Sequence, residues 1–140
     1  LTYGPGEFNV SIKEEKEVIS KHKESASKLF LIACIDEEIV SVLTFATENK
    51  KRKTHVGIFG ITVKKDFWGL GIGNTMISEL VEWAKSTKII KKINLMVQTN
   101  NEKAINLYKK HGFEIEGTHT RDSLIDGIFY DSYSMGLKID

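Results

Sequence analysis

Residues 64–85 read "KKDFWGLGIGNTMISELVEWAK". Gly69, Gly71 and Gly73 fall at every second position, and a helical pattern starts among them. Ile72, Met76, Ile77, Leu80, Val81 and Ala84 recur at i, i+4, i+5 and i+8, which lays one apolar stripe along a helix. Trp83 falls on the flank of that stripe, at the edge of a core. Upstream, "THVGIFGITV" (54–63) reads as a strand. Its Gly57 and Gly60 mark places where a neighbour approaches closely or the ladder bulges. Downstream, "KINLMVQ" (92–98) alternates Ile93, Leu95 and Val97 with Asn94, Met96 and Gln98, a second strand. Strand, helix and strand in that order predict a right-handed parallel crossover.

A helix N-terminus carries about four N–H groups without internal acceptors and a partial charge of roughly +0.5. Glycine has no Cβ to hold an anion away from those groups. With Lys64 and Lys65 just upstream, "GLGIGNT" (69–75) reads as a phosphate cradle. The plain alternative is a tight turn whose glycines serve packing alone. A P-loop would close with G-K-[ST], whereas Gly73 is followed by Asn74 and Thr75. A dinucleotide G-x-G-x-x-G fails at Asn74 or at Met76, depending on which glycine starts it. Nor does an acidic residue follow the next strand in "VQTNN" (97–101). A different diphosphate is left.

Working outward, Ser11 and Glu14 form an S-x-x-E capping box. It predicts a charged helix through "IKEEKEVISKHKE" (12–24), with Ile12, Val18 and Ile19 as its apolar side. "KLFLIACI" (28–35) is a buried strand, "DEE" (36–38) a turn, and "IVSVLTFAT" (39–47) the other arm of a hairpin. "ENKKRK" (48–53) is the one basic cluster and reads as a solvated hairpin tip, the alternative being a contact with RNA or an acidic protein partner. "NNEKAINLYKKHGF" (100–113) is a short helix with an Asn cap, Glu102 in its first turn, Lys109 and Lys110 in its last, and Gly112 as its stop. "FEIEGTHT" (113–120) and "GIFYDSYSMGLKI" (127–139) are closing strands around "RDSLID" (121–126). The outcome is a mixed α/β sheet.

The 140 residues suit a single domain over 1–140 with one sizeable core. A net charge of +1 gives no basic field for nucleic acid. The single Cys34 excludes an internal disulfide and fits a reducing cytoplasm. No apolar run approaches the roughly 18 residues of a membrane span. No H-E-x-x-H, C-x-x-C or clustered carboxylates occur, so no metal is implied. The opening "LTYGPGEFNV" (1–10) holds no packable element, which suggests a flexible leader or a domain whose first elements lie upstream.

"FWGLGIG", followed one strand later by "TNNEKAINLYKKHGFEIEG", resembles the GNAT superfamily of acyl-CoA-dependent N-acetyltransferases. The likeness runs from about Leu29 to Leu137, with two motifs in the family's order and spacing. It implies an α+β fold: a mixed, mostly antiparallel sheet flanked by helices, with a splayed parallel strand pair. It also implies that a first strand and helix are missing from this chain. In the family, [Q/R]-x-x-G-x-[G/A] holds the pyrophosphate of coenzyme A. Here Trp68 stands where Gln or Arg is usual, resembling a variant familiar from bacterial members, while Gly71 and Gly73 match.

The resemblance implies acetyl-CoA as acyl donor, with Trp68, Gly69, Leu70, Gly71, Ile72, Gly73, Asn74 and Thr75 around the diphosphate. It places Ile61, Thr62 and Val63 along the pantetheine arm, held as in strand addition. Gly60 would mark a bulge that splays the strand. Asn101 would contact the cofactor, and Tyr108 would sit near the sulfur as general acid. Apart from the resemblance, Tyr108 reads as a packing residue at i+4 from Ala104. A main-chain N–H at the bulge would face the oxyanion.

Relatives often carry a Glu as base on the third strand; Ile58 stands at that place here. His55, Glu48, His119 and Asp131 remain candidates, beside a water chain. Cys34 reads as a buried, inert thiol. The expected reaction is acetyl transfer to a primary amine of a small molecule or a protein N-terminus, with room for a homodimer. The alternative is a CoA-binding module without catalysis. The acceptor site is expected between the N-terminal segment and "HTRDSLIDGIFY" (119–130), where Asp122, Asp126 and Asp131 would attract a cationic amine.

Overall fold

The computed structural model describes residues 10–21, 24–48 and 50–140, with side chains from residue 28 onward. The expectations for the opening segment fall on residues 1–9, outside the described residues.

The chain runs β1 (Val10–Lys21), β2 (Glu24–Ile35), β3 (Glu38–Thr47), β4 (Val56–Val63), α1 (Ile72–Thr87), β5 (Lys92–Gln98), α2 (Glu102–Lys110), β6 (Glu114–Ile125) and β7 (Ile128–Lys138). A short 3₁₀ turn, Lys65–Phe67, links β4 to the glycine loop. The strands form one sheet in the order β1-β2-β3-β4-β5-β7-β6. β4 and β5 are parallel, and every other neighbouring pair is antiparallel. This is the expected mixed α+β sheet with one parallel pair.

The core lies where α1 and α2 cover the sheet. Leu31, Leu43, Phe45, Phe59, Ile93 and Leu95 meet Met76, Ile77 and Leu80 of α1 and Ile105 and Tyr108 of α2 in one cluster. Trp83 is part of it, only 6 % exposed, with its ring edge-on to Phe45 at 5.5 Å. It is a core residue and not an edge one; Val81 is half-buried. Gly57 is explained by the same ring: a Cβ there would lie 2.2 Å from Phe45 Cζ.

Three further expectations are corrected. Residues 10–21 are a strand, not a helix. The capping signal at Ser11 is local and worth about 1 kcal/mol, whereas the strand pairs along its whole length, from Val10↔Ile35 to Lys21↔Glu24. The β-branched Val10, Ile12, Val18 and Ile19 suit that ladder.

"RDSLID" is not a connection either. β6 continues to Ile125, and the turn is Asp126–Gly127, both with positive φ (50° and 77°). A D-G pair is a favoured two-residue hairpin turn. The irregularity sits earlier, between His119 and Ser123, where Arg121 takes a φ of 52°. Its N–H donates to Asp131 Oδ1 at 2.8 Å, and its guanidinium lies 4.7 Å from the centre of the Phe129 ring.

Finally, β4 carries no bulge at Gly60, because its register with β3 is continuous from Thr47↔Gly57 to Ser41↔Val63. The splay arises on the other side: pairing with β5 stops at Ile58↔Asn94.

Candidate functional site

The parting of β4 from β5 leaves a free strand edge. Lys64 N–H donates to Val40 O at 2.8 Å. By the alternation of an antiparallel ladder, Gly60 and Thr62 then turn their main-chain groups toward β3. Ser41 Oγ, donating to Thr62 O at 2.9 Å, fits that direction. Ile61 and Val63 turn theirs toward the side that β5 has left. One acceptor there is already used: Trp68 Nε1 donates to Val63 O at 2.7 Å.

The glycine loop follows. Gly69 and Gly71 have φ of 80° and 79°, a region where an L side chain is strained. Gly71 is the N-cap of α1, and no side chain caps the helix. The first main-chain bond into it is Thr75 N–H to Gly71 O at 3.0 Å. Among the described residues nothing accepts from the N–H groups of Ile72, Gly73 and Asn74. They are available to an anion, on the positive end of a helix of sixteen residues. Upstream, Lys64 is paired with Glu38 at 3.5 Å, so it adds less charge than its position implies.

α2 forms the opposite wall. Asn101 caps it, its Oδ1 accepting from Ala104 N–H at 3.3 Å, which leaves its amide NH₂ for other partners. Gly73 permits close approach of the two helices, since a Cβ there would stand 3.3 Å from Leu107 Cδ2. Tyr108 is 9 % exposed, with Phe59 edge-on at 5.8 Å and Phe113 at 6.1 Å. Its hydroxyl makes no hydrogen bond among the described residues, and burial pushes its pKa above the ordinary tyrosine value. The proton therefore stays on at neutral pH.

These walls enclose a cleft of about 600 Å³ lined by Ile61, Thr62, Val63, Trp68, Gly69, Gly71, Ile72, Gly73, Asn74, Asn101 and Tyr108. All were singled out from the sequence. Leu70 and Thr75 do not line it: Leu70 packs on the core, and Thr75 turns its hydroxyl back to Gly71 O at 3.0 Å. Phe67, Lys103, Ala104 and Leu107 line it too and were not foreseen. The last three share the face of α2 that carries Tyr108, so helical spacing counted from the Asn101 cap would have found them.

None of the base candidates lines the cleft. His55 sits just before β4, its carbonyl accepting from Lys91 and Lys92 N–H. Glu48 follows β3 at the same end. His119 is exposed on β6, and Asp131 is engaged by Arg121. Ile58 is 54 % exposed at the last rung before the splay. Cys34 is buried on β2, away from the cleft. Among the described residues no cluster of His, Cys, Asp or Glu could hold a metal ion. None of their helices is long and apolar enough to cross a membrane.

Residues 3–113 match the model of the acetyltransferase (GNAT) family. This chain belongs to the GNAT family. Among curated relatives it is 37 % identical over 105 residues to the L-amino acid N-acetyltransferase AaaT of Escherichia coli K12, covering 75 % of this chain and 65 % of that protein. Against the spermidine N(1)-acetyltransferase of Vibrio cholerae it is 25 % identical over 122 residues, 86 % of this chain and 69 % of that one. A solved GNAT acetyltransferase from Streptococcus pneumoniae superposes with a TM-score of 0.76 at 34 % identity, over 86 % of this chain and 70 % of that one. The GNAT chain described here thus spans about two thirds of the length of these relatives.

Proposed function

We propose that this chain binds acetyl-CoA in the cleft and transfers its acetyl group to the primary amine of a small molecule. One observation carries the reading: three unpaired N–H groups at the start of α1, a free edge of β4 and the unpartnered hydroxyl of Tyr108 all meet in one cleft. An anion site, a peptide-like rail and a proton donor are what a diphosphate, an amide-bearing arm and a departing thiolate need.

In this reading the main chain from Gly69 to Asn74 receives the diphosphate, with Thr75 buttressing the turn and Leu70 anchoring it to the core. Ile61 and the N–H of Val63 pair with the amides of the arm as an added strand would. Asn101 turns its free amide NH₂ toward the same ligand. When bound, the thioester supplies an activated acyl group and a thiol leaving group. Tyr108 holds its proton because its ring is desolvated, and a tyrosine in that state is a donor and not a base. Among the described residues no carboxylate or imidazole lines the cleft, and in this reading the amine gives its proton to water.

Two named relatives act on amino acids and on spermidine, which makes α-amino groups and polyamine termini the first acceptors to try. A protein N-terminus is the third. The lone Cys34 accords with work in a reducing cytoplasm.

The test is calorimetry with acetyl-CoA, followed by free-thiol release across a panel of L-amino acids, polyamines and N-terminal peptides. Binding with turnover of one amine class is expected. Absence of binding up to millimolar ligand would end the reading. Binding without turnover of any amine would favour the catalytically silent module.

A further inference from the structure

We propose that Trp68 is a positioning residue that fixes the separation between the anion-binding loop and the free edge of β4, a role that rests on the acetyl-CoA reading above. The indole is 57 % exposed, so packing alone does not hold it. What holds it is the 2.7 Å bond from Nε1 back to Val63 O. Val63 is in turn fixed by its ladder position opposite Ser41 and by the bond of Lys64 N–H to Val40 O.

Between these points the chain makes a closed turn, with Phe67 N–H on Lys64 O at 2.9 Å and Trp68 N–H on Lys65 O at 3.1 Å. Beyond Trp68 comes Gly69, then Gly71, and a Cβ at either would meet nothing within 4 Å. Such positions cannot brace a loop: glycine has the widest backbone freedom, and here no neighbour restricts it. Leu70, between the two glycines, rests its side chain on the core, so the indole is the last point at which the loop is hydrogen-bonded to β4 before the uncapped N–H groups of α1.

The bond has a second consequence. It removes Val63 O from the acceptors offered by the β4 edge, so an amide-bearing ligand finds only the N–H of Val63 at the end of the strand before it turns toward the loop. A ligand that spans both features feels the separation that Trp68 sets. A ligand that touches the loop alone does not. Coenzyme A is of the first kind and ADP of the second.

Both ligands are titrated calorimetrically into the wild-type chain and into Trp68→Phe, which keeps a ring and loses the N–H. Thermal melting checks that the variant, altered at an exposed side chain, stays folded. The expected result is a loss of about tenfold in coenzyme A affinity, the worth of one well-placed hydrogen bond, with ADP affinity held within about twofold. Equal losses for both ligands would make Trp68 a shaping residue of the loop, or a stacking surface for the base, and overturn the proposal. No loss for either would overturn it as well. A wild-type chain that binds neither ligand would remove the reading beneath it, and the proposal with it.

Discussion

Asn74 Oδ1 lies 2.9 Å from His111 Nε2, which ties the first turn of α1 to the C-cap of α2. The two helices that wall the cleft are thus joined by side chains as well as by packing. Burial, and then the neighbouring charge of Lys110, hold the His111 pKa below the ordinary histidine value of 6.5. The imidazole is therefore neutral in the folded chain at pH 7.

A pH dependence follows from that sign. Below 6.5 the unfolded chain takes up a proton at this position more readily than the folded one. The contribution of His111 is present above 6.5 and is lost as the pH falls through its lowered folded value. Melting temperatures of the wild type and of His111→Gln, compared at about pH 7.5 and about pH 5, should show the wild type losing more on acidification. Parallel losses would remove His111 as the cause.

Gly57→Ala should be among the most damaging small substitutions on the sheet. The added Cβ would meet Phe45 Cζ at 2.2 Å and Ala46 O at 2.8 Å, and Phe45 is already held by Trp83. Overpacking of this kind costs about 1–3 kcal/mol. Urea unfolding should report a loss in that range, together with a change in the fluorescence of Trp83. The matching change at Gly60, where a Cβ meets nothing within 4 Å, should cost far less.

Gly71→Ala acts by a different route. The site has room, but a φ of 79° costs an L residue about 1–2 kcal/mol. If the loop relieves that strain by shifting, the N–H groups of Ile72 and Gly73 shift with it. Weaker binding of coenzyme A, with only a modest fall in melting temperature, is the expected outcome. Unchanged affinity would mean that these N–H groups do not receive the diphosphate.

The segments that the sequence placed well are those whose signal is local and repeated. β5 falls on the expected residues, 92–98, and the stripe of α1 is buried by the core except at the half-buried Val81, with Trp83 added to it. Asn101 and Gly112 bound α2 by capping chemistry that needs no tertiary partner. β1 reads as a helix because its pairing with β2 shows only in the folded sheet, while the Ser11–Glu14 signal lies in plain view. The Asp126–Gly127 turn is legible as a D-G pair, but the polar run before it reads as the connection. In the cleft, the unpaired main-chain N–H groups at the start of α1 are readable from glycine spacing. The Trp68–Val63 bond is not, because nothing in a sequence says where an exposed indole points.

Tyr108→Phe addresses the chemistry itself. The substitution removes only the hydroxyl, and the ring contacts with Phe59 and Phe113 need none. Stability should therefore change little, and coenzyme A affinity should stay within about twofold, less than one full hydrogen bond. If the hydroxyl gives its proton to the departing thiolate, kcat should fall by about a hundred- to ten-thousandfold. The raised pKa adds a second readout. In the wild type the acid form persists beyond the ordinary value of 10.0, so an alkaline limb set by Tyr108 lies above that pH and vanishes in the variant. The same shift destabilises the fold as the pH rises past 10.0, where the unfolded tyrosine ionises and the buried one does not. Rate and stability must therefore be measured side by side at each pH. A variant that releases thiol at the wild-type rate would leave Tyr108 as a packing residue, and the proton would then have to reach the sulfur through water.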